Sequence, residues 1–278
     1  MRGVDLYEHR SGEGPEVVVL HGGPGAHHDY LLPGFDRLAQ GRTLVYYDQR
    51  GGGRSPVGRD VAVGWREHVD DLEALRSIWR IERLDLCGYS WGALLAMLYA
   101  ITYPQRVASL ALVSPAPAAK SERFVFEQNL ARRNATPELV AARAELQGSG
   151  LRSQDLAAYN QRLFELAVSG YFHDPRFASS LTPFRITGRT QQEVWNSLGE
   201  DFDLRPALSR LEVSAIVVHG DDDPIPLPTA AATAEALQAP LVVLPRCGHV
   251  PYVEAPEAFV AALDGFLPNA SRVASRES

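Results

Sequence analysis

The chain has little of several things that would mark particular functions. Two cysteines, Cys87 and Cys247, occur in 278 residues, both in or beside apolar runs. That is too few for a disulfide framework, and they read as reduced core thiols. Lysine is nearly absent. Lys120 is the only one, so arginine carries almost all the positive charge, a habit of composition with no functional message. Acidic residues outnumber basic ones 34 to 27, for a net charge of −7. A nucleic-acid binder needs a basic face, and this composition offers none. No apolar run approaches the roughly 20 residues of a membrane span; the longest lies around residues 91–101. The opening residues Met1-Arg2-Gly3-Val4-Asp5-Leu6 lack the apolar stretch of a secretory signal. A cytoplasmic protein with neither nucleic acid nor membrane as partner is expected.

What is present is a strand–helix rhythm. Short apolar runs at 17–20, 43–47, 84–87, 110–113, 215–218 and 241–244 are continuous where exposed strands would alternate. Strands buried on both faces read this way, which predicts a mostly parallel sheet covered by helices. Between two of the runs, residues 65–80 place Val69, Leu72, Leu75, Ile78 and Trp79 at helical spacing. Glu67, Asp70, Asp71 and Glu73 fall on the other face and predict a solvated surface. From about Pro115 to Pro206 the rhythm stops. Helices are expected there over 122–133, 137–147 and 154–168, with Thr136 as a cap and Pro137 in the first turn. The last ten residues are polar and are expected to fray.

Three motifs carry chemistry. Gly88-Tyr89-Ser90-Trp91-Gly92 follows a strand and opens an apolar helix. That is the context in which a sharp strand-to-helix turn exposes a nucleophilic serine, with glycines on either side so that backbone can approach. A serine needs a base, and the base an orienting acid. Val217-Val218-His219-Gly220-Asp221-Asp222-Asp223 leaves one strand into an acidic turn, and Leu244-Pro245-Arg246-Cys247-Gly248-His249 leaves the last strand into a loop with a histidine. The order Ser90, Asp223, His249 is that of a serine hydrolase built on such a sheet. His21-Gly22-Gly23-Pro24-Gly25 follows the strand at 17–20. It lacks the lysine of a phosphate-binding loop, so an oxyanion hole built from the Gly23 and Trp91 amides is the better reading. His27-His28-Asp29 does not present ligands on one face, and no metal or cofactor is expected.

These motifs, together with Asp48-Gln49-Arg50-Gly51-Gly52-Gly53-Arg54-Ser55, resemble the proline iminopeptidase family of α/β-hydrolases. The resemblance spans roughly 15–115 and 213–267. It implies an eight-stranded, mostly parallel sheet with a helical cap inserted after the sixth strand. The core would be 1–116 and 206–268, the cap 117–205, and the flexible tail 269–278. It assigns the last aspartate of the acidic turn, Asp223, as the triad acid and His249 as its histidine. Gly22 and Tyr89 are then expected beside the substrate. Residues 181–188 resemble a late segment of the cap. Family members hold the substrate's free α-amine with cap glutamates, which makes Glu165, Glu193 and Glu200 the candidates. The expected activity is release of an N-terminal proline or small residue through an acyl-enzyme, with a short-peptide or other small substrate as partner. A carboxylesterase or lactonase would use the same triad, and a non-hydrolytic binding module would not need it.

Overall fold

Each of the six apolar runs is a strand, and alternate residues of most of them go to two different cores. In the computed structural model, which describes residues 4–271, the strands are β1 (Glu8–Gly12), β2 (Glu16–Leu20), β3 (Thr43–Tyr47), β4 (Leu84–Tyr89), β5 (Val107–Val113), β6 (Ser214–Gly220) and β7 (Leu241–Leu244). Val18, Leu20, Val45, Tyr47, Leu86, Leu112 and Val217 pack into one cluster. Val17, Val19, Leu44, Tyr46, Cys87, Val113 and Val218 pack into the other. A strand with core on both sides has no place for polar residues, which explains the unbroken runs. β7 is the exception. It lies at the sheet edge, and Val243 is 40% exposed.

The sheet order is β1-β3-β2-β4-β5-β6-β7, parallel except for β1, which runs antiparallel to β3 with Glu8 opposite Tyr47 and Gly12 opposite Thr43. Periodicity did not reveal β1, because its residues are polar and half-exposed, as an edge strand permits. The expectation of eight strands is corrected: the described residues hold seven. Residues 4–7, ahead of β1, join no ladder, so the helical stretch follows the fifth strand, not the sixth.

The helix predicted over 65–80 is α1 (Trp65–Trp79), stopped by Arg80 in a left-handed conformation. Val69, Leu72 and Leu75 are buried, but Ile78 is 59% exposed. Asp71, expected on the wet face, is also buried, and Arg50 donates to both of its oxygens at 2.5 and 2.6 Å. The acidic face is therefore not wholly a solvated one. Asp71 anchors the chain just after β3 to α1 through a bidentate pair.

α2 (Trp91–Thr102) follows β4 and is buried along nearly its whole length. Between β5 and β6 the chain is mainly helical: α3 (Lys120–Asn134), α4 (Pro137–Gly148), α5 (Leu156–Val168) and α6 (Gly188–Ser197), with a longer connection over 169–187 that holds two 3-10 turns, Ser169–Tyr171 and Pro175–Ser180. Thr136 caps α4 through the Leu139 amide, and Asp155 caps α5 through the Ala158 amide. The two ends of this stretch lie side by side. Lys120 N–H donates to Phe202 O and Leu204 N–H to Ala118 O, so the stretch leaves and rejoins the sheet at one point.

The segment expected to fray, 269–278, begins with two hydrogen bonds to the loop before β3. Asn269 Nδ2 donates to Gln40 O, and Ala270 N–H to Gly41 O. Residues 272–278 lie outside the described residues.

Candidate active site

The turn at Ser90 is set by what glycine permits. A Cβ on Gly88 would stand 2.5 Å from Gly92 O, and one on Gly92 only 2.0 Å from Leu20 O. Without those two side chains the helix start presses onto the ends of β2 and β4. Ser90 itself takes φ +53°, ψ −116°, a conformation costing about 1–3 kcal/mol for a residue with a Cβ. Its amide donates to Val113 O at 2.9 Å, and its carbonyl accepts from Ala93 and Ala116, which fixes the strain in place. The result is a serine hydroxyl held at the carboxyl end of the sheet.

Asp223 and His249 arrive from the ends of β6 and β7. Gly220 has no Cβ to keep these loops apart, since one would fall 2.1 Å from Cys247 O. Asp222 N–H donates to Cys247 O at 3.0 Å, and Cys247 N–H donates to Asp221 Oδ1 at 3.3 Å. Asp222 also accepts from Arg133 at 2.8 Å and lies 2.9 Å from His173 Nδ1. Two aspartates thus join the acidic turn to its neighbours, and the third points inward. His249 Nδ1–H donates to Asp223 at 2.8 and 3.1 Å, and the Ser90 hydroxyl donates to His249 Nε2 at 3.0 Å. Burial alone would raise the Asp223 carboxyl. The His249 and His219 rings and the hydrogen bonds from His249 and the Ile225 amide outweigh it and hold the group below the usual carboxylate range. An ionised Asp223 keeps the imidazole proton on Nδ1 and leaves the Nε2 lone pair facing the serine.

Ser90 and His249 open onto a cavity of about 620 Å³ that Gly23, Trp91 and Tyr89 also line. Gly23 has φ +57°, and Trp91 is the first residue of α2, so its N–H has no partner within the helix. Gly22, expected beside the substrate, is not on this lining but packs against Ser90 and Tyr89. A Cβ there would be 3.0 Å from Ser90 Cβ, and its N–H donates to Tyr30 Oη at 2.8 Å.

The far wall comes from the helical stretch: Phe126, Glu127 and Leu130 of α3, Phe164 and Val168 of α5, and Gln191, Gln192, Trp195 and Asn196 of α6. None of the three glutamates singled out by sequence reaches this cavity. Glu165, next to the cavity-lining Phe164, is largely buried off the lining and accepts from Gln161 and Arg162. Glu193 pairs with Arg189 at 2.7 Å. Glu200 is almost fully exposed, 3.4 Å from Lys120. The carboxylate on the lining is Glu127, paired with Arg123 at 2.7 Å, and the Arg123 guanidinium lies 4.1 Å over the Trp195 ring. A signal existed for it. Positions 123, 126, 127 and 130 form one helical face by the i, i+3, i+4, i+7 rule, but a face mixing charge with Phe and Leu reads as neither core nor surface.

Elsewhere, His28 Nδ1 lies 2.6 Å from Asp48 Oδ1, and Asp29 is ion-paired with Arg54. Among the described residues no group of His, Cys, Asp and Glu is arranged to hold a metal ion. Nor is any described helix long and apolar enough to cross a membrane.

The chain matches the α/β-hydrolase fold family over residues 15–256. It is 32% identical to a proline iminopeptidase of Lactiplantibacillus plantarum over 90% of this chain and 91% of that one. Among solved structures, a proline iminopeptidase-related protein from Thermus thermophilus superposes with a TM-score of 0.71 at 26% identity, covering 95% of this chain and 93% of the other. The enol-lactonase of Burkholderia xenovorans shares the fold, with a TM-score of 0.64 at 20% identity over 95% and 96% of the two chains.

Proposed function

Since the chain belongs to the α/β-hydrolase family, with proline iminopeptidases among its relatives, we propose that it is a serine hydrolase in which Ser90, His249 and Asp223 form the catalytic triad. The unbroken row of hydrogen bonds from Ser90 Oγ through His249 to the buried Asp223 carries this reading. Ser90 Oγ attacks the substrate carbonyl while His249 Nε2 takes the hydroxyl proton, and Asp223 steadies the imidazolium. The Gly23 and Trp91 amides receive the oxyanion. His249 then returns the proton to the leaving group, and water, activated by the same ring, releases the acyl group from Ser90.

For the substrate we favour a peptide with N-terminal proline or another small residue, as the relatives suggest. An ammonium group entering a largely aromatic cavity needs a carboxylate, and Glu127 is placed to provide it. A second reading rests on the same residue. Glu127 is already paired with Arg123, and the neighbouring Gln191, Gln192 and Asn196 are neutral, which suits an uncharged ester or lactone. Parallel assays of a prolyl arylamide and a short acyl ester, each with Ser90→Ala as control, separate these readings. Arylamide turnover lost in Ser90→Ala supports the peptidase. Ester turnover alone supports the esterase. Activity retained in a folded Ser90→Ala protein removes the triad.

A further inference from the structure

The Asp48-Gln49-Arg50 motif takes no part in the chemistry above, yet Gln49 is buried at the centre of it. It follows β3 and reaches across the ends of two other strands. Its side-chain Nε2 donates to the backbone carbonyl of His21 at 2.9 Å, and its Oε1 accepts from the indole Nε1 of Trp91 at 2.7 Å. Its own backbone N–H donates to His21 Nε2 at 3.1 Å. His21 Nδ1–H in turn donates to Gly22 O at 2.9 Å. All three side chains are buried: His21, Gln49 and Trp91.

This hydrogen-bond pattern requires a neutral His21, with one ring nitrogen donating and the other accepting. Burial supplies that state, bringing His21 down to about 4 against the smaller opposing pull of the Gly22 carbonyl. The two segments that Gln49 ties are the ones carrying the proposed oxyanion donors. His21 lies two residues before Gly23, and Trp91 bears the other amide on its own backbone. An unpaired amide in such a place would carry a large desolvation cost, so its donor and acceptor are each committed to one side.

We propose that Gln49 is a positioning residue that sets the spacing between the Gly23 and Trp91 amides. The inference rests on the serine-hydrolase reading. Gln49 touches no substrate. It acts through His21 on one donor and through Trp91 on the other. Donors held at fixed spacing favour the tetrahedral intermediate over the planar carbonyl, so loosening them should cost rate and leave substrate binding alone.

The test compares Gln49→Met, which removes both side-chain hydrogen bonds at similar volume, with Gln49→Glu, which keeps an acceptor for Trp91 but loses the donor to His21. Trp91→Phe removes the indole bond from the other side. Each protein is titrated to end-point with a fluorophosphonate, so that rates are expressed per reactive Ser90 and the unfolded fraction drops out. The readouts are kcat, KM and affinity for a boronic acid, whose boron takes Ser90 Oγ to give a tetrahedral borate while the hydroxyl proton passes to His249. Gln49→Met is expected to lower kcat by about 10- to 100-fold, less than the loss of a whole donor. KM should stay within about threefold, and boronate affinity should weaken in step with kcat. Gln49→Glu should fall between Gln49→Met and the parent.

A kcat per titrated serine within threefold of the parent in Gln49→Met overturns the inference. So does a loss of rate with unchanged boronate affinity. Trp91→Phe, expected to lower kcat and boronate affinity together, decides the matter if Gln49→Met does not fold. A parent enzyme whose Ser90 takes no fluorophosphonate removes the hydrolase reading instead, an outcome distinct from failure of the Gln49 variants.

Discussion

The sheet side and the helical side of the cavity are built in opposite ways. On the sheet side, backbone meets backbone with glycine between, and side chains such as Asp223, His249, Gln49 and Trp91 are buried with their polar atoms paired. On the helical side, α3 buries none of its residues, and its polar contacts include exposed ion pairs such as Lys120–Glu200 and Arg123–Glu127. Exposed pairs of that kind are worth about 0–1 kcal/mol and are easily exchanged. One wall therefore has little freedom to vary without losing its geometry, whereas α3 on the other can change its side chains at small cost. The first suits chemistry that must stay fixed and the second suits selection among substrates.

That contrast predicts effects of very different size. The largest belongs to the acid. Asp223→Asn would present the wrong partner to His249 Nδ1, and kcat is expected to fall about 10⁴-fold. Asp222→Asn, which loosens surface contacts to Arg133 and His173, should leave kcat within about threefold on the same reasoning. Steady-state kinetics on the two variants side by side would reverse the assignment of this turn if Asp222→Asn proved the worse. Next comes the fixed backbone. Gly92→Ala places a methyl group on Leu20 O, and a loss of about 3 kcal/mol of stability is expected, read by urea denaturation. An unchanged midpoint would show that this wall is not rigid.

On the variable wall, Glu127→Gln removes the carboxylate at no cost in volume. If the peptidase reading holds, KM for a prolyl arylamide should rise about tenfold or more, while a short acyl ester, which carries no amine, is unaffected. Equal KM values for the arylamide in both proteins would take amine recognition away from α3. A further effect is on stability in mild acid. His21 is lowered to about 4 and His68 to about 3, both by burial, with Arg50 adding to the effect at His68. An unfolded chain protonates these rings near their ordinary 6.5 while the folded protein does not, so stability should fall as pH drops from 6.5 toward 4. His68→Phe should flatten that slope in thermal melts recorded from about pH 7 to 4. An unaltered slope would show that other groups control it.

The same contrast explains what could be read from the sequence. Strands between two cores have no freedom in their composition, so five of the six apolar runs announced themselves for this reason, while β7 is apolar although it lies at the edge. The turn at Ser90 was readable for a similar reason, because steric limits force glycine to Gly88 and Gly92. β1 was hidden because an edge strand tolerates polar residues. Asp71 was misplaced because its partner, Arg50, lies 21 positions away and no helical periodicity reports it. The glutamates failed for a physical reason also. A one-residue step around a helix turns a side chain by about 100°, which takes Glu165 off the face on which Phe164 lines the cavity. Gln49 appeared only as part of a motif, since its work is done by hydrogen bonds to His21 and Trp91 that adjacency in sequence does not suggest.

In the proposed mechanism, Ser90 carries an acyl group during turnover. Intact-protein mass spectrometry of enzyme quenched in acid during steady-state hydrolysis of a short acyl ester tests it directly, with the ester chosen so that deacylation is slow and the intermediate builds up. A mass increase equal to the acyl group is expected, localised to the peptide containing Ser90 and absent from Ser90→Ala. Turnover at the parent rate by Ser90→Ala, or an acyl group found on another residue, would contradict it.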